Sequence, residues 1–338
     1  MKTLLYIGNM LAAHGAPPSV MATHGVLLES HFKVYCASSK WNKVLRMLDM
    51  VATFWQRRRE TDCVIIAVYS TLNFYYAWFI ALLCRLFQKP YIAYLHGGNL
   101  PARLARSPQM SRAIFAHSHA NVAPSGYLKT AFEQAGFKAT NIPNFIQIEN
   151  YAFRLRQKLR PRLLWVRAFE KTYHPEMTVR VFAELRKTFP EAQLCMVGPE
   201  KDGSMEGCKR LAAELSLEQQ IRFTGKLSKA DWIALAADYD LFVSTTRFDN
   251  TPISVIEAMA LGLPIVSTNV GGVPFLLEHN ETGLLSPDSD IPAMVENIQT
   301  LLSSPHLAER LSRNARQKAE TFDWKVVEVQ WLELLSDV

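Results

Sequence analysis

From end to end the chain alternates short aliphatic runs with longer stretches of helical apolar period, and that rhythm limits its fold more than any single motif. Strand-like runs fall at TLLYIG (3–8), FKVYCA (32–37), CVIIAVYS (63–70), PYIAYL (90–95) and NVAP (121–124). Helix-like runs lie between them, near 18–30, 41–59, 72–87, 109–118 and 126–135. The second half repeats the style with RLLWV (162–166), QLCMVG (193–198), IRFTG (221–225), LFVST (241–245), PIVST (264–268) and GLLS (283–286). Helical stretches near 175–188, 204–216, 229–238, 252–261 and 273–279 separate these, and 291–302, 306–321 and 323–336 close the chain. A strand that returns through a helix starts a parallel neighbour, so the pattern predicts an α/β protein with parallel sheets covered on both faces.

Two such sheets are expected, because 338 residues suit two domains of about 150 residues each. The break falls at the polar, basic segment IPNFIQIENYAFRLRQKLRPR (142–162), which has proline at both ends and no apolar period. The expected division is a doubly wound domain over 1–150, a second over 151–322, and a helix over 323–338 that returns to the first.

Charge is uneven between the halves. Residues 1–150 hold 15 Lys and Arg against 6 Asp and Glu, or +9; residues 151–338 hold 22 against 25, or −3. A basic first half fits a phosphate-bearing partner or an anionic surface. Nucleic acid is not expected, since no stacking-aromatic motif accompanies the basic residues. The five cysteines have no CxxC pair or metal-ligand spacing and read as thiols of a reducing cytoplasm. The segment 63–84 has 22 residues without a formal charge, long enough to span a bilayer. Ser70, Thr71 and Asn73 interrupt it, and a buried strand followed by a buried helix is the expectation. The start, MKTLLYIGNMLAAHG, reads as a first strand and loop rather than a signal peptide.

Helix 41–59, WNKVLRMLDMVATFWQRRR, puts Trp41, Val44, Leu45, Leu48, Val51, Ala52 and Trp55 on one face and ends in three arginines. That face has two readings: packing against the sheet, or lying on an anionic membrane.

The chemistry concentrates in FDNTPISVIEAMALGLPIVSTNVGGVP (248–274). Asp249 follows a strand at the end where doubly wound sheets bind ligands. Pro252 suits the first helical position, which leaves the Ile253 and Ser254 amides free at the positive end of a helix. Glu257 lies too deep in that helix for the dipole to explain it. Asp288 and Asp290 have the DxD form that holds metal in some enzymes, but Asp290 is placed to cap the next helix. No metal site is expected.

As a whole the stretch resembles the family four glycosyltransferases, retaining enzymes of the GT-B fold. Their signature is an acid, seven residues, a glutamate, an A-M-A-x-G-x-P-[IV]-V run and G-G-V-P. Here these are Asp249, Glu257, AMALGLPIV (258–266) and GGVP (271–274). The chain departs in having Asp249 where glutamate is usual and NTP where G-F-G is usual, so the resemblance carries no sugar identity across. It implies that Asp249 contacts the donor sugar and Glu257 the ribose, since a carboxylate accepts two hydroxyl hydrogen bonds at once. It implies that Arg167 and Lys171 clamp the donor diphosphate, Lys171 standing one residue earlier than the family's lysine. Asn250, Ile253 and Ser254 join the donor site, VGPEKDG (197–203) and FTGKLS (223–228) flank the base, and Gly15 lies near the phosphates. His96, in YLHGGNLP, reaches the donor sugar.

The implied activity is metal-independent, cofactor-free transfer of a sugar from a nucleotide-diphosphate sugar, UDP among the candidates, to an acceptor hydroxyl. The acceptor would attack from the leaving-group side, so the sugar's anomeric configuration is kept. It would be a glycan or a lipid-linked sugar, met in the cytoplasm or at the inner membrane face through residues 41–59. A nucleotide-sugar epimerase and a non-catalytic sugar-nucleotide- or membrane-binding subunit are the alternatives.

Overall fold

The structure is a computed structural model, and it describes residues 1–11 and 20–338. Gly15 and His14 lie outside the described residues. Two compact units form, one of Met1–Asn144 with Glu328–Val338 and one of Phe145–Val327.

The first unit holds β1 (Thr3–Ile7), β2 (Lys33–Ala37), β3 (Cys63–Val68), β4 (Tyr91–Leu95), β5 (Ala120–Ala123) and β6 (Thr140–Asn141), ordered β2-β1-β3-β4-β5-β6. The second holds β7 (Arg162–Val166), β8 (Gln193–Val197), β9 (Ile221–Gly225), β10 (Leu241–Ser244), β11 (Ile265–Thr268) and β12 (Leu284–Ser286), ordered β12-β11-β10-β7-β8-β9. Every strand pairing in both sheets is parallel. This is the expected pair of doubly wound sheets. Strands buried on both faces need continuous apolar runs, and β1, β3 and β4 are buried at every residue. In the second unit Leu163 and Trp165 of β7 pack into one core, while Leu164 between them packs into another on the opposite face.

The uncharged segment 63–84 is β3 followed by helix Asn73–Leu86, whose Phe74, Ala77, Ile80, Ala81 and Cys84 are buried. Among the described residues no helix is long and apolar enough to cross a membrane. Cys36 is exposed, the other four cysteines are buried, and none is paired.

Besides the 3-10 turns Ile148–Asn150 and Lys171–Tyr173, a helix and a strand escape the sequence pattern. Helix Leu100–Arg106 carries Pro101 in its first turn and reads as loop, and the two-residue β6 is too short to show a period. Asp290 accepts from the Ala293 amide at 3.0 Å, so it caps helix Ile291–Ser303 as its position suggests.

Helix Lys43–Arg57 overturns the packing expectation for its apolar face. Arg46, Met50 and Phe54 are the residues it buries. With about 100° per residue, the stripe through Trp41, Val44, Leu45, Leu48, Val51, Ala52 and Trp55 lies on the opposite side; Val51 is half-buried against the first unit's core, and the other six are exposed. The cause is polar. The buried Arg46 guanidinium donates to the carbonyls of Lys40 and Trp41, both at 2.8 Å, and to Asn9 Oδ1 at 3.2 Å, while Ser38 donates to Asp49. These bonds fix the rotation of the helix about its axis.

Candidate functional site

The carboxyl ends of the central strands β7 and β10 bring Arg167 and Asp249 together, while Glu257 and Lys171 find other partners. Arg167 follows β7 directly, and Asp249 lies in the loop after β10. The Arg167 guanidinium donates to Asp249 Oδ2 in a close ion pair. It also lies over the Tyr173 ring, 4.3 Å from the centroid, while its Nε is buried with no hydrogen-bond partner. Burial pushes the Asp249 pKa up, against the opposing pull of Arg167 and of the Asn250 amide.

Backbone contacts hold the Asp249 loop. The Asn250 amide donates to Asp249 Oδ1 at 2.8 Å, and the Gly272 amide donates to the Asp249 carbonyl at 2.8 Å. A Cβ on Gly272 would run into the Asn250 carbonyl, so the second glycine of the pair is what lets the two loops touch. Gly198, at the end of β8, works the same way: its Cβ would strike the Arg167 carbonyl.

Helix Ile253–Ala260 follows, with Pro252 as its N-cap rather than its first helical residue. The Pro252 carbonyl accepts from the Val255 and Ile256 amides. The amides of Ile253 and Ser254 precede the first helical hydrogen bonds, as the first turn of any helix requires. Ser254 lines one small cavity with Arg167, Tyr173 and Thr246.

Glu257, fifth in that helix, is only 2% exposed. It accepts from the Tyr151 hydroxyl at 2.8 Å and pairs with the Lys229 ammonium. Burial pulls the Lys229 pKa down to about 8 and pushes the Tyr151 pKa up to about 12. Neither partner is legible in the sequence. Tyr151 belongs to the segment between the two sheets, and Lys229 follows the cap Ser228 of its own helix. Arg316 Nη1 anchors Tyr151 by donating to its carbonyl at 2.9 Å and to that of Ala260 at 2.7 Å.

Lys171 is exposed and opens a 3-10 turn, its amide donating to Asp202 Oδ2 at 3.0 Å. In the loop after β8 the Glu200 carboxylate accepts from the amides of Lys201, Asp202, Gly203 and Met205.

In the first unit His96 follows β4, and its amide donates to the Val68 carbonyl at 2.9 Å. Tyr69 stacks on its ring at 5.3 Å between centroids, and Tyr94 tilts against it at 4.1 Å. Tyr94 in turn meets Trp331 of helix Trp324–Ser336 at 5.0 Å. His96 Nε2 is buried without a hydrogen-bond partner, and burial pushes the ring's pKa down to about 3. The ring is therefore neutral at physiological pH.

Two doubly wound parallel sheets, with a basic and an acidic side chain paired at the strand ends of the second, are the architecture of the GT-B class. Residues 147–318 match the family model for glycosyl transferases group 1, and the chain belongs to that family. It is 29% identical over 208 residues to an uncharacterized glycosyltransferase of Haemophilus influenzae, covering 60% of this chain and 57% of that protein. It is 27% identical over 167 residues to a D-inositol 3-phosphate glycosyltransferase of Corynebacterium efficiens, covering 48% and 39%. The chain thus spans about half the length of these relatives. The fold is similar to that of Anabaena HepE in complex with UDP, with a TM-score of 0.78, 20% identity and 100% of both chains covered. It is also similar to a sucrose-phosphate synthase from Thermosynechococcus elongatus, with a TM-score of 0.82, 17% identity and 100% and 99% covered.

Proposed function

We propose that the protein is a retaining glycosyltransferase of the family four type, moving a sugar from a nucleotide-diphosphate sugar to an acceptor hydroxyl without a metal. The observation that carries this reading is Arg167. It is fixed by Asp249, yet keeps a buried Nε–H with no partner, and it lines one cavity with Ser254 at the start of helix Ile253–Ala260. A donor diphosphate supplies what that arrangement lacks, because a leaving nucleoside diphosphate gains negative charge that a fixed cation and helix amides offset.

In this reading Arg167, with the Ile253 and Ser254 amides, holds the diphosphate, and Lys171 closes over it from the surface. Glu257 accepts the ribose hydroxyls in place of the Lys229 ammonium, while Tyr151 keeps the carboxylate aimed. Asp249, its loop tied to Asn250 and Gly272, accepts from a hydroxyl of the transferred sugar, and His96 of the first unit is assigned to a sugar hydroxyl. The acceptor hydroxyl attacks the anomeric carbon from the leaving-group side. A donor phosphate oxygen takes its proton as the bond to the diphosphate breaks. The acceptor is a glycan or lipid-linked sugar, met in the cytoplasm or at the inner membrane face. UDP leads as the nucleotide because HepE, alike in fold over its whole length, was solved with it.

Calorimetry with UDP-, GDP- and ADP-sugars, in EDTA and again in magnesium, tests the reading. It expects one donor to bind equally in both buffers and Glu257→Ala to weaken that binding. A Glu257→Ala variant with unchanged donor affinity and turnover would remove Glu257 from the site. Donor conversion with no acceptor present would identify an epimerase, and nucleotide binding with no turnover on any acceptor would identify a non-catalytic subunit.

A further inference from the structure

We infer that the first unit docks on an anionic lipid bilayer through two neighbouring helices, Lys43–Arg57 and Asn73–Leu86. Trp41, just before the first helix, and Val44, Leu45, Leu48 and Trp55 on it are each at least 52% exposed. The second adds Leu86, at 73%, and Leu72 and Tyr75 at its start. The Tyr76 hydroxyl bonds the Lys43 carbonyl at 2.9 Å, and Trp55 meets the Phe87 ring at 5.3 Å, so the two exposed stretches adjoin. A contiguous apolar surface of this kind marks a place where something binds. It is not a helix turned the wrong way, because the opposite side buries Met50, Phe54 and Arg46, the last bonded to Asn9.

Charge selects the occupant. Lys40, Lys43 and Arg59 are exposed around the apolar residues, and the Arg58 guanidinium lies 3.9 Å over the Trp55 ring. The nearby acids are committed: Asp49 accepts from Ser38, and Glu60 pairs with Lys33 and Arg57. From residue 63 to residue 132 the sequence contains no Asp or Glu at all. A second copy of the same face would set these cations against one another. A nucleic acid would satisfy them but leave the tryptophans and leucines in water. An anionic bilayer accepts both. Leucine and valine enter the acyl boundary, tryptophan and tyrosine sit at headgroup depth, and lysine and arginine reach the phosphates. The docking does not depend on the transferase reading, although it would bring a membrane-borne acceptor to this protein's surface.

Co-sedimentation of the full chain with phosphatidylcholine vesicles, with and without about 30% phosphatidylglycerol, tests it, tryptophan emission being read in parallel. Binding is expected to be at least about tenfold tighter on the anionic vesicles, to weaken with salt, and to shift the emission to the blue. Leu45→Ser with Leu48→Ser, and separately Arg58→Glu with Arg59→Glu, are each expected to weaken binding about tenfold or more. The melting temperature and nucleotide affinity should stay unchanged, since these are surface positions outside the strand-end site. Equal binding to neutral vesicles, or variants that bind as the parent does, would overturn the inference. So would a concentration-dependent dimer, seen in sedimentation velocity, that Leu48→Ser dissolves. Because nucleotide affinity is measured on the same variants, failure of docking and failure of the transferase reading are told apart.

Discussion

Asp249 and His96 both stand beyond the carboxyl end of a central parallel strand, yet the two units hold them by opposite means. Asp249 is fixed by charge, through Arg167 and two backbone amides. His96 is fixed by aromatic packing between Tyr69 and Tyr94, with Trp331 and the buried His24 behind. One setting requires an ion and the other excludes one. The same strand-end position is thus charged and ion-paired in the second unit, and neutral and ring-packed in the first.

The widest gap between the two should appear on truncation. Asp249→Ala leaves the Arg167 guanidinium without its counter-charge. It is expected to destabilise the second unit by about 3 kcal/mol, the low end for a broken buried pair because Arg167 is partly exposed. His96→Phe, which keeps the packing, should cost less than about 1.5 kcal/mol. Urea unfolding of both variants makes the test, and equal losses would erase the contrast.

Acid should strike the first unit instead. His24 is fully buried and its pKa, like that of His96, is pushed down to about 3 from an ordinary 6.5. As pH falls below 6.5 the unfolded chain therefore takes up protons that the folded chain refuses. This stability is complete above pH 6.5 and is lost downward, at up to about 1.4 kcal/mol per pH unit for His24. Asp249, whose pKa is raised, works in the other direction, and its contribution is lost as pH rises through its folded value. Unfolding measured at pH 7, 6 and 5 should show the fall, and His24→Phe should reduce it to the share carried by His96.

Gly272→Ala probes the backbone side of the Asp249 setting. Its methyl must push the Asn250 carbonyl away, a crowding expected to cost about 2 kcal/mol and to weaken donor binding, both readable in one titration series. The smallest effect belongs to Tyr151→Phe. Loss of one hydrogen bond to Glu257 is worth about 1 kcal/mol, or roughly fivefold in nucleotide affinity by calorimetry.

The parts visible in the sequence are those written in contiguous residues. Strand and helix runs gave both sheets because parallel strands covered on two faces must be apolar throughout. Asp249, the helix start, Glu257 and the glycine pair fall within 27 residues, so their association needed no knowledge of the tertiary fold. Tyr151 was invisible because it reaches Glu257 from 106 positions away. The outward face of helix Lys43–Arg57 was ambiguous for a different reason. Its period shows that apolar residues share a side, but Met50 and Phe54 are apolar too, and they turn inward together with Arg46, whose bonds to Lys40, Trp41 and Asn9 leave no mark in the sequence.

Glu200 has a consequence for any anion in solution. A loop that offers four amides to one point is a natural phosphate trap, but its own carboxylate already fills it. The protein has, in effect, switched off a decoy. Sulfate or phosphate in the buffer should then compete with a nucleotide at Arg167 and the Ile253 helix start, and the loop after β8 should stay indifferent to both.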